Sequence, residues 1–132
     1  MQRVRVALVE DNRLFRETLA LVLGLIDEVE VVGSFEGGAE AIEACEGLRP
    51  DVVVIDYRMP GLDGAEVTRA LLRVLPATRV VCLTASVSEA ERGRVLEAGA
   101  VACLTKDASL DRIAGAILEV ARAEPSQSRS QQ

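Results

Sequence analysis

The stretch Asp51-Val-Val-Val-Ile-Asp-Tyr-Arg-Met-Pro-Gly-Leu-Asp-Gly64 decides how this chain folds. Four consecutive β-branched apolar residues, Val52 to Ile55, run directly into the carboxylate of Asp56. Such an unbroken run is typical of a strand covered on both faces, as in a parallel sheet between two layers of helices. The turn at Met59-Pro-Gly61 then ends the strand. Asp56 is therefore predicted at the carboxyl end of a central strand, where open α/β sheets bind ligands. This stretch alone does not distinguish a functional carboxylate from one that caps the turn.

The composition narrows the class of protein. The 132 residues suffice for one compact domain, and 49% of them are hydrophobic, which excludes wholesale disorder. The formal net charge is −6 and aromatic residues make up 2%, so direct nucleic-acid binding by this domain is not expected. The absence of histidine excludes histidine-dependent triads, histidine-rich metal sites and a phosphohistidine donor role.

Cysteine usage and hydropathy predict a cytoplasmic protein. Cys45, Cys82 and Cys103 lack the spacing of a paired motif, so we expect reduced, buried thiols. There is no signal-peptide pattern and no apolar run of about 18 residues, so neither secretion nor a membrane span is indicated.

Five apolar strands alternate with five amphipathic helices along the chain. The strands are predicted over residues 4–9, 28–32, 52–55, 79–84 and 101–105. Charge alternates with apolar residues over 28–32, which favours an edge position. The pattern predicts an α/β fold, a doubly wound (βα)5 parallel sheet in the order 2-1-3-4-5. Strands one and three are then neighbours, so Glu10 and Asp11 would lie beside Asp56.

Two capping-box patterns mark the starts of the third and fourth helices, Asp63-x-x-Glu66 and Ser88-x-x-Glu91. The third helix is expected to bury Val67, Leu71, Val74 and Leu75. The fourth helix has few apolar residues and carries Gly93, which costs about 1 kcal/mol relative to Ala. We therefore expect it to be the most mobile helix. From Pro125 the sequence is polar and of low complexity, so residues 1–123 are predicted as the domain and 124–132 as a disordered tail or truncated linker.

Charged and hydroxyl side chains follow the ends of four predicted strands. They are Glu10 and Asp11 after the first, Asp56 after the third, Thr84 at the end of the fourth and Lys106 after the fifth. Three carboxylates in one crevice repel each other and need a cation. Oxygen donors without histidine or thiolate suit a hard divalent ion, above all Mg²⁺. Lys106 would pair with a carboxylate at rest and with a phosphoryl oxygen after transfer, and Thr84 would donate to that oxygen. The acid pair alone is equally consistent with an incidental acidic patch.

From about Val4 to Ala123 the sequence resembles the receiver domains of bacterial two-component response regulators, whose fold is flavodoxin-like. The matching features are Glu10-Asp11-Asn12, Asp56 with Met59-Pro60-Gly61 and Asp63-Gly64, Thr84-Ala85, and Gly99-Ala100 before Lys106. The run after Asp56 and the Lys106-Asp107 pair are most similar to the transcription-regulating subfamily with a C-terminal helix-turn-helix. Because a chemotaxis member of this family is a known example of the order 2-1-3-4-5, that order is not independent of the resemblance.

The resemblance implies a role for each of these residues. Asp56 would accept a phosphoryl group from a sensor histidine kinase in a Mg²⁺-dependent reaction, and Lys106 and Thr84 would hold the phosphoryl oxygens. The ligands of the ion would be Asp11 directly, Glu10 through water, Asp56, and the backbone carbonyl of Arg58. The domain would be a switch and not an enzyme, because it would only phosphorylate and dephosphorylate itself.

Two positions depart from the family pattern. Many relatives carry Tyr or Phe where this chain has Cys103, and this aromatic swings inward when the threonine moves. A small thiol cannot sweep the same volume, so switching through Thr84 and Cys103 is not assured. Many relatives have Pro where this chain has Asp107, often after a cis bond. A cis non-proline bond costs about 2.5–4 kcal/mol, and the sequence does not fix the isomer.

Two other functions are compatible with this fold. The first is a phosphorylation-independent pseudo-receiver that serves only as an interaction module, for which Cys103 is the only support. The second is a Mg²⁺-dependent phosphohydrolase, but Arg58 stands where such enzymes often carry a second acid. No helix-turn-helix fits after Ala123, so the chain is expected to be a stand-alone receiver or part of a longer regulator. A homodimer through the last helix or the fourth-helix face is a further expectation, and DNA would be reached only through an output domain.

Overall fold

The computed structural model describes residues 2–85 and 88–123, and the predicted polar tail at 124–132 lies outside them. Strands and helices alternate in the order β1 Val4–Val9, α1 Arg13–Gly24, β2 Val29–Phe35, α2 Gly38–Leu48, β3 Val52–Asp56, α3 Gly64–Val74, β4 Arg79–Thr84, α4 Glu89–Glu97, β5 Ala102–Thr105 and α5 Leu110–Arg122. All strand pairs are parallel, and the sheet order is β2-β1-β3-β4-β5. The predicted doubly wound α/β fold is confirmed.

The edge strand β2 is longer than its sequence pattern indicated. The predicted segment covered the alternating pattern of residues 28–32 and stopped before Gly33 and Ser34. The observed strand continues to Phe35, which pairs with Val9 at the end of β1. A register shift between Val6 and Ala7 of β1 accommodates the extra length. Hydrogen bonding to the whole length of β1 therefore outweighs the preference of Gly33 and Ser34 for turns.

Each face of the sheet has its own hydrophobic core. Side chains alternate between the two faces along a strand. On β3, Val53 and Ile55 belong to the core under α2 and α3, whereas Val52 and Val54 belong to the core under α1 and α5. All five residues of β3 are buried. Burial on both faces explains why the deciding stretch is apolar without interruption.

The third helix begins as predicted. Its capping box is complete, because the Asp63 side chain accepts from Glu66 N and the Glu66 side chain accepts from Asp63 N, both at 2.9 Å. The helix buries Val67 and Leu71, with Leu75 just beyond its end. The prediction for Val74 is wrong, since that side chain is 42% exposed. Val67, Leu71 and Leu75 follow one another at intervals of four residues and form the buried row. Val74 lies next to this row and not in it.

The fourth helix forms only half of its predicted capping box. The Ser88 hydroxyl accepts from Glu91 N at 3.3 Å, but the Glu91 carboxylate binds Arg58 in the loop after β3. Only Val95 of α4 is buried, as expected from the scarcity of apolar residues. The greater mobility of α4 stays a prediction.

Three further features concern the cysteines, the Lys106-Asp107 bond and membrane spans. All three cysteines are free; Cys45 and Cys82 are buried, as expected, whereas Cys103 is only partly buried. The Lys106-Asp107 bond is trans, since the described chain contains no cis bond. Within residues 2–85 and 88–123, no helix combines the length and apolar character needed to cross a membrane.

Substitution at Gly64 tests the tight approach of α3 to the end of β3. A Cβ at Gly64 would lie 2.8 Å from the Cα of Tyr57 and 3.2 Å from the carbonyl oxygen of Asp56. Because these are backbone atoms that cannot move aside, we expect Gly64→Ala to lower the free energy of unfolding by about 1–3 kcal/mol. Urea denaturation measures the change.

Gly47→Ala is the matched control for this substitution. Gly47 lies inside α2, and a Cβ there would meet no atom within 4 Å. We expect a gain in stability of up to about 1 kcal/mol, because alanine is the better helix former. Equal stabilisation by both substitutions would contradict the close approach at Gly64.

Candidate functional site

The site lies at the carboxyl edge of the sheet, where β1 and β3 end side by side. Val9 of β1 pairs with Ile55 of β3, so the next residue of each strand, Glu10 and Asp56, reaches the same edge. The backbone N–H of Glu10 donates to Phe35 O of β2 at 2.9 Å, which fixes where Glu10 leaves the sheet. The strand order thus brings together residues 46 positions apart in sequence.

Three carboxylates gather at this edge. Glu10, Asp11 and Asp56 each offer an oxygen, and these oxygens lie within 4.8 Å of one another. Glu10 and Asp56 are 5% and 7% exposed, whereas Asp11 is exposed. The predicted proximity of the acid pair to Asp56 is therefore observed. The donors are all oxygens, one of them open to solvent, which fits a hard divalent ion such as Mg²⁺.

Lys106, directly after β5, bridges two of these acids. Its ammonium nitrogen lies 2.7 Å from Oε1 of Glu10 and 3.2 Å from Oδ2 of Asp56. The same nitrogen is 4.7 Å from the centre of the Phe15 ring on α1, within cation–π distance. The Lys106 side chain is only 18% exposed, so its charge is weakly screened. The sequence predicted a carboxylate partner for Lys106, and the structure shows that Glu10 is the nearer of two.

The charges in this cluster perturb one another. Burial raises the pKa of Asp56 to about 6, and the negative charge of Glu10 adds to the increase, while Lys106 opposes it. Burial by itself would lower the pKa of Lys106, but the hydrogen bond to Glu10 and the charge of Asp56 outweigh it, so that pKa is raised. Because the pKa of Asp56 in the folded protein exceeds its ordinary value of 3.8, the protonated carboxyl group stabilises the fold. This contribution to the free energy of unfolding is complete below pH 3.8 and is lost as the pH rises through about 6. A carboxylate that works against folding is typical of a functional site.

The sheet positions Thr84 next to Asp56 and Lys106. Leu83 of β4 pairs with Asp56, so Thr84 is the next residue along the edge. Thr84 is 5% exposed, and its carbonyl accepts from Lys106 N at 2.9 Å. The threonine and the lysine are therefore adjacent at the end of the β4–β5 pair, although the roles proposed for them from sequence stay predictions.

Cys103 and Arg58 lie on the side of the site that faces α4. Cys103 on β5 is paired in register with Cys82 on β4, and burial together with Cys103 raises the pKa of the Cys82 thiol. The Arg58 guanidinium is directed to Glu91 on α4, at 3.1 Å. The switch role of Cys103 and the metal-ligand role of the Arg58 carbonyl stay predictions.

Sequence reasoning placed Asn12 at the start of α1 but missed its contact with Glu10, and it assigned Phe15 no part in the site. The side-chain oxygen of Asn12 accepts from Phe15 N at 2.9 Å, and the backbone N–H of Asn12 donates to Glu10 Oε2 at 3.0 Å. Asn12 therefore begins α1 and orients Glu10 at the same time. Phe15 lies on the apolar face of α1 and packs against the core as a partly buried residue. An aromatic residue in the first turn after an acid pair was the signal that could have revealed its contact with Lys106.

Comparison with known proteins identifies the family. Residues 6–118 match the family model described as response regulator receiver domain. The chain is 40% identical over 114 residues to the response regulator GacA of Pseudomonas viridiflava, covering 86% of this chain and 53% of GacA. It is 34% identical over 122 residues to the transcriptional regulatory protein LiaR of Bacillus subtilis, covering 92% of this chain and 58% of LiaR. The chain thus spans about half the length of the curated relatives it matches.

A solved structure agrees with this assignment. The signal receiver domain of NarL from Mycobacterium tuberculosis superposes with a TM-score of 0.87 at 38% identity, covering 94% of this chain and all of that chain. The shared strand order, the sequence match and the acid cluster beside a lysine lead to one conclusion: this chain belongs to the response regulator receiver domain family.

Proposed function

We propose that Asp56 accepts a phosphoryl group and that its phosphorylation changes the surface this receiver offers to a partner. The observation that supports this best is the position of Asp56. Its carboxylate is buried at the end of the central strand, close to the acid pair and 3.2 Å from the ammonium of Lys106. Such a group is shielded from water and has cationic support within reach.

The reaction we propose transfers phosphorus between two side chains. An oxygen of Asp56 attacks the phosphorus of a phosphohistidine on a sensor histidine kinase, a new P–O bond forms, and the P–N bond breaks to release the imidazole. Because the chain itself contains no histidine, the donor is another molecule. Phosphoryl transfer requires positioning and neutralisation of spread negative charge more than covalent machinery. The ammonium of Lys106 lies 3.2 Å from Oδ2 of Asp56, so after transfer it can bind a phosphoryl oxygen. We propose that the hydroxyl of Thr84 also donates a hydrogen bond to a phosphoryl oxygen.

The acid cluster supports Mg²⁺ as the cofactor. We propose the ligands Asp11 directly, Glu10 through water, Asp56 and the backbone carbonyl of Arg58. When bound, the ion would neutralise charge on the phosphoryl group. Lys106 alone offsets only part of the charge of the three acids, and the exposed carboxylate of Asp11 leaves the cluster open to a hydrated ion.

Neither alternative function is favoured by a specific observation. The pseudo-receiver would not need a buried Asp56 paired with Lys106, yet that pair is intact. A phosphohydrolase would need an acid near the nucleophile to protonate its leaving group. The residue at that position is Arg58, which forms an ion pair with Glu91. We therefore propose that the domain turns over no external substrate and loses its own phosphoryl group slowly.

Two kinds of partner are proposed, an output domain and a second copy of the chain. The name of LiaR describes a transcriptional regulatory protein, and we propose that this receiver likewise controls transcription in the cytoplasm through a helix-turn-helix output domain. For self-association, α1 presents the exposed side chains of Leu14 and Leu21, and Leu25 is exposed directly after the helix, in addition to the predicted surfaces on α4 and α5. Three leucines are far fewer than the roughly 20–30 residues a side of a stable interface, so a homodimer would need further contacts.

Phosphorylation by a small donor tests the proposed acceptor. With acetyl phosphate and Mg²⁺, we expect intact-mass spectrometry to show one added phosphoryl group, and we expect Asp56→Asn or excess chelator to abolish it, because the attacking oxygen or the neutralising ion is then missing. Asp27→Asn, which removes an exposed carboxylate in the turn after α1, is the control and should be modified like the wild type. Full modification of Asp56→Asn would assign the acceptor to another residue.

The raised pKa of Asp56 predicts that protons compete with Mg²⁺. At pH 5 the carboxylate is mostly protonated, since its pKa is about 6. We expect the Mg²⁺ dissociation constant, measured by NMR titration, to be about ten-fold larger at pH 5 than at pH 8. Lys106→Met should tighten Mg²⁺ binding and move this dependence to higher pH, because the lysine lowers the pKa of Asp56. Equal affinity at both pH values would place the ion elsewhere.

A further inference from the structure

The helix α4 is attached to the rest of the domain mainly by polar contacts. Its only buried residue is Val95. Three of its side chains instead form hydrogen bonds or ion pairs with residues outside the helix. The contacts are Glu91 with Arg58, Arg94 with Tyr57 and Arg92 with the carbonyl of Cys103. Two of the three reach the residues that directly follow Asp56.

The first contact joins α4 to Arg58. Nε and one terminal nitrogen of the Arg58 guanidinium approach both carboxylate oxygens of Glu91 at 3.1–3.3 Å. Glu91 occupies the position from which a capping box would reach back to Ser88, yet its side chain turns to Arg58 instead. The Glu91 side chain thus contacts the loop after β3 and does not complete the capping box with Ser88.

The second contact joins α4 to Tyr57. Nε of Arg94 donates to the Tyr57 hydroxyl at 3.0 Å. The Tyr57 ring is 5% exposed, and its backbone N–H donates to Leu83 O on β4 at 3.3 Å. Tyr57 is therefore fixed to the sheet at one end, with its hydroxyl bound to α4 at the other.

We propose that the Tyr57–Arg94 and Arg58–Glu91 contacts transmit phosphorylation of Asp56 to α4. The inference rests on the proposed function and adds the residues through which the switch acts. Consecutive Cα atoms are about 3.8 Å apart, so a displacement of the Asp56 backbone moves Tyr57 and Arg58 with it. A phosphoryl group also adds a charge of about −1.5 to −2, which would compete with Glu91 for the guanidinium of Arg58, two residues after Asp56 in the chain.

The weakness of these contacts suits the role. The Arg58 side chain is 64% exposed, and ion pairs this open to solvent contribute little on their own. A helix held by one buried residue and a few exchangeable polar contacts can be displaced at a small cost in free energy, which is what a switch element requires. This link needs no aromatic residue at position 103.

NMR of the whole chain with beryllofluoride and Mg²⁺ tests the proposal. In the wild type we expect amide shifts both at the site, read at Lys106, and on α4, read at Val95 and Leu96. The double variant Tyr57→Phe with Glu91→Gln removes the Tyr57 hydroxyl and the charge of Glu91 and keeps both shapes. In it the shift at Lys106 should remain while those on α4 fall at least two-fold. Glu97→Gln is the control, because it removes the same charge from an exposed position on α4.

The outcomes separate the two proposals. α4 shifts in the double variant equal to those of the wild type, with Lys106 still responding, would overturn the link and leave the phosphoacceptor proposal intact. The absence of any shift at Lys106 in the wild type under saturating reagent would overturn both. An equal loss of α4 response in Glu97→Gln would also overturn the link, because any charge removal on the helix would then suffice.

Discussion

The ammonium group of Lys106 lies between the carboxylates of Glu10 and Asp56, and the arrangement at the carboxyl edge of the sheet depends on this contact. Without it, two largely buried negative charges would stand side by side in a poorly solvated place. One cation shared by two acids offsets only part of the charge, and Asp11 adds a third carboxylate. Burial and, after it, the charge of Glu10 raise the pKa of Asp56, and Lys106 opposes them only in part. The same imbalance is the physical reason for proposing a divalent ion and, with it, a phosphoryl group at this site.

The two hydrophobic cores make that unfavourable arrangement tolerable. β3 is buried on both faces, so moving the backbone of Asp56 far enough to relieve the repulsion would expose apolar side chains to water. Asn12 holds Glu10 from one side, and α3 packs its first residue against the backbone of Tyr57 from the other. Stability supplied by the cores is thus used to hold charges in positions that favour chemistry over folding.

The periphery of the site is built differently. α3 has a complete capping box and a continuous buried row, whereas α4 has half a box and one buried residue. The two helices flank the same loop, so a change at Asp56 would meet a firmly held helix on one side and a loosely held one on the other. Motion is therefore expected on the α4 side. The small side chain of Cys103 on the adjacent strand does not oppose this, since Arg92 contacts its carbonyl and not its thiol.

The sequence predicted five strands alternating with five helices and the meeting of Glu10, Asp11, Asp56, Thr84 and Lys106 at one edge, whereas the strand order also rested on the family resemblance. It could do so because apolar periodicity and turn residues are local properties, and because parallel strands all end on the same side. The tertiary structure alone decided that Lys106 lies nearer to Glu10 than to Asp56, that Phe15 lies against the lysine, and that Glu91 leaves its cap for Arg58. It also extended β2 to Phe35 and exposed Val74. These features depend on which side chains from distant segments compete for the same partner, and local patterns carry no information about that competition.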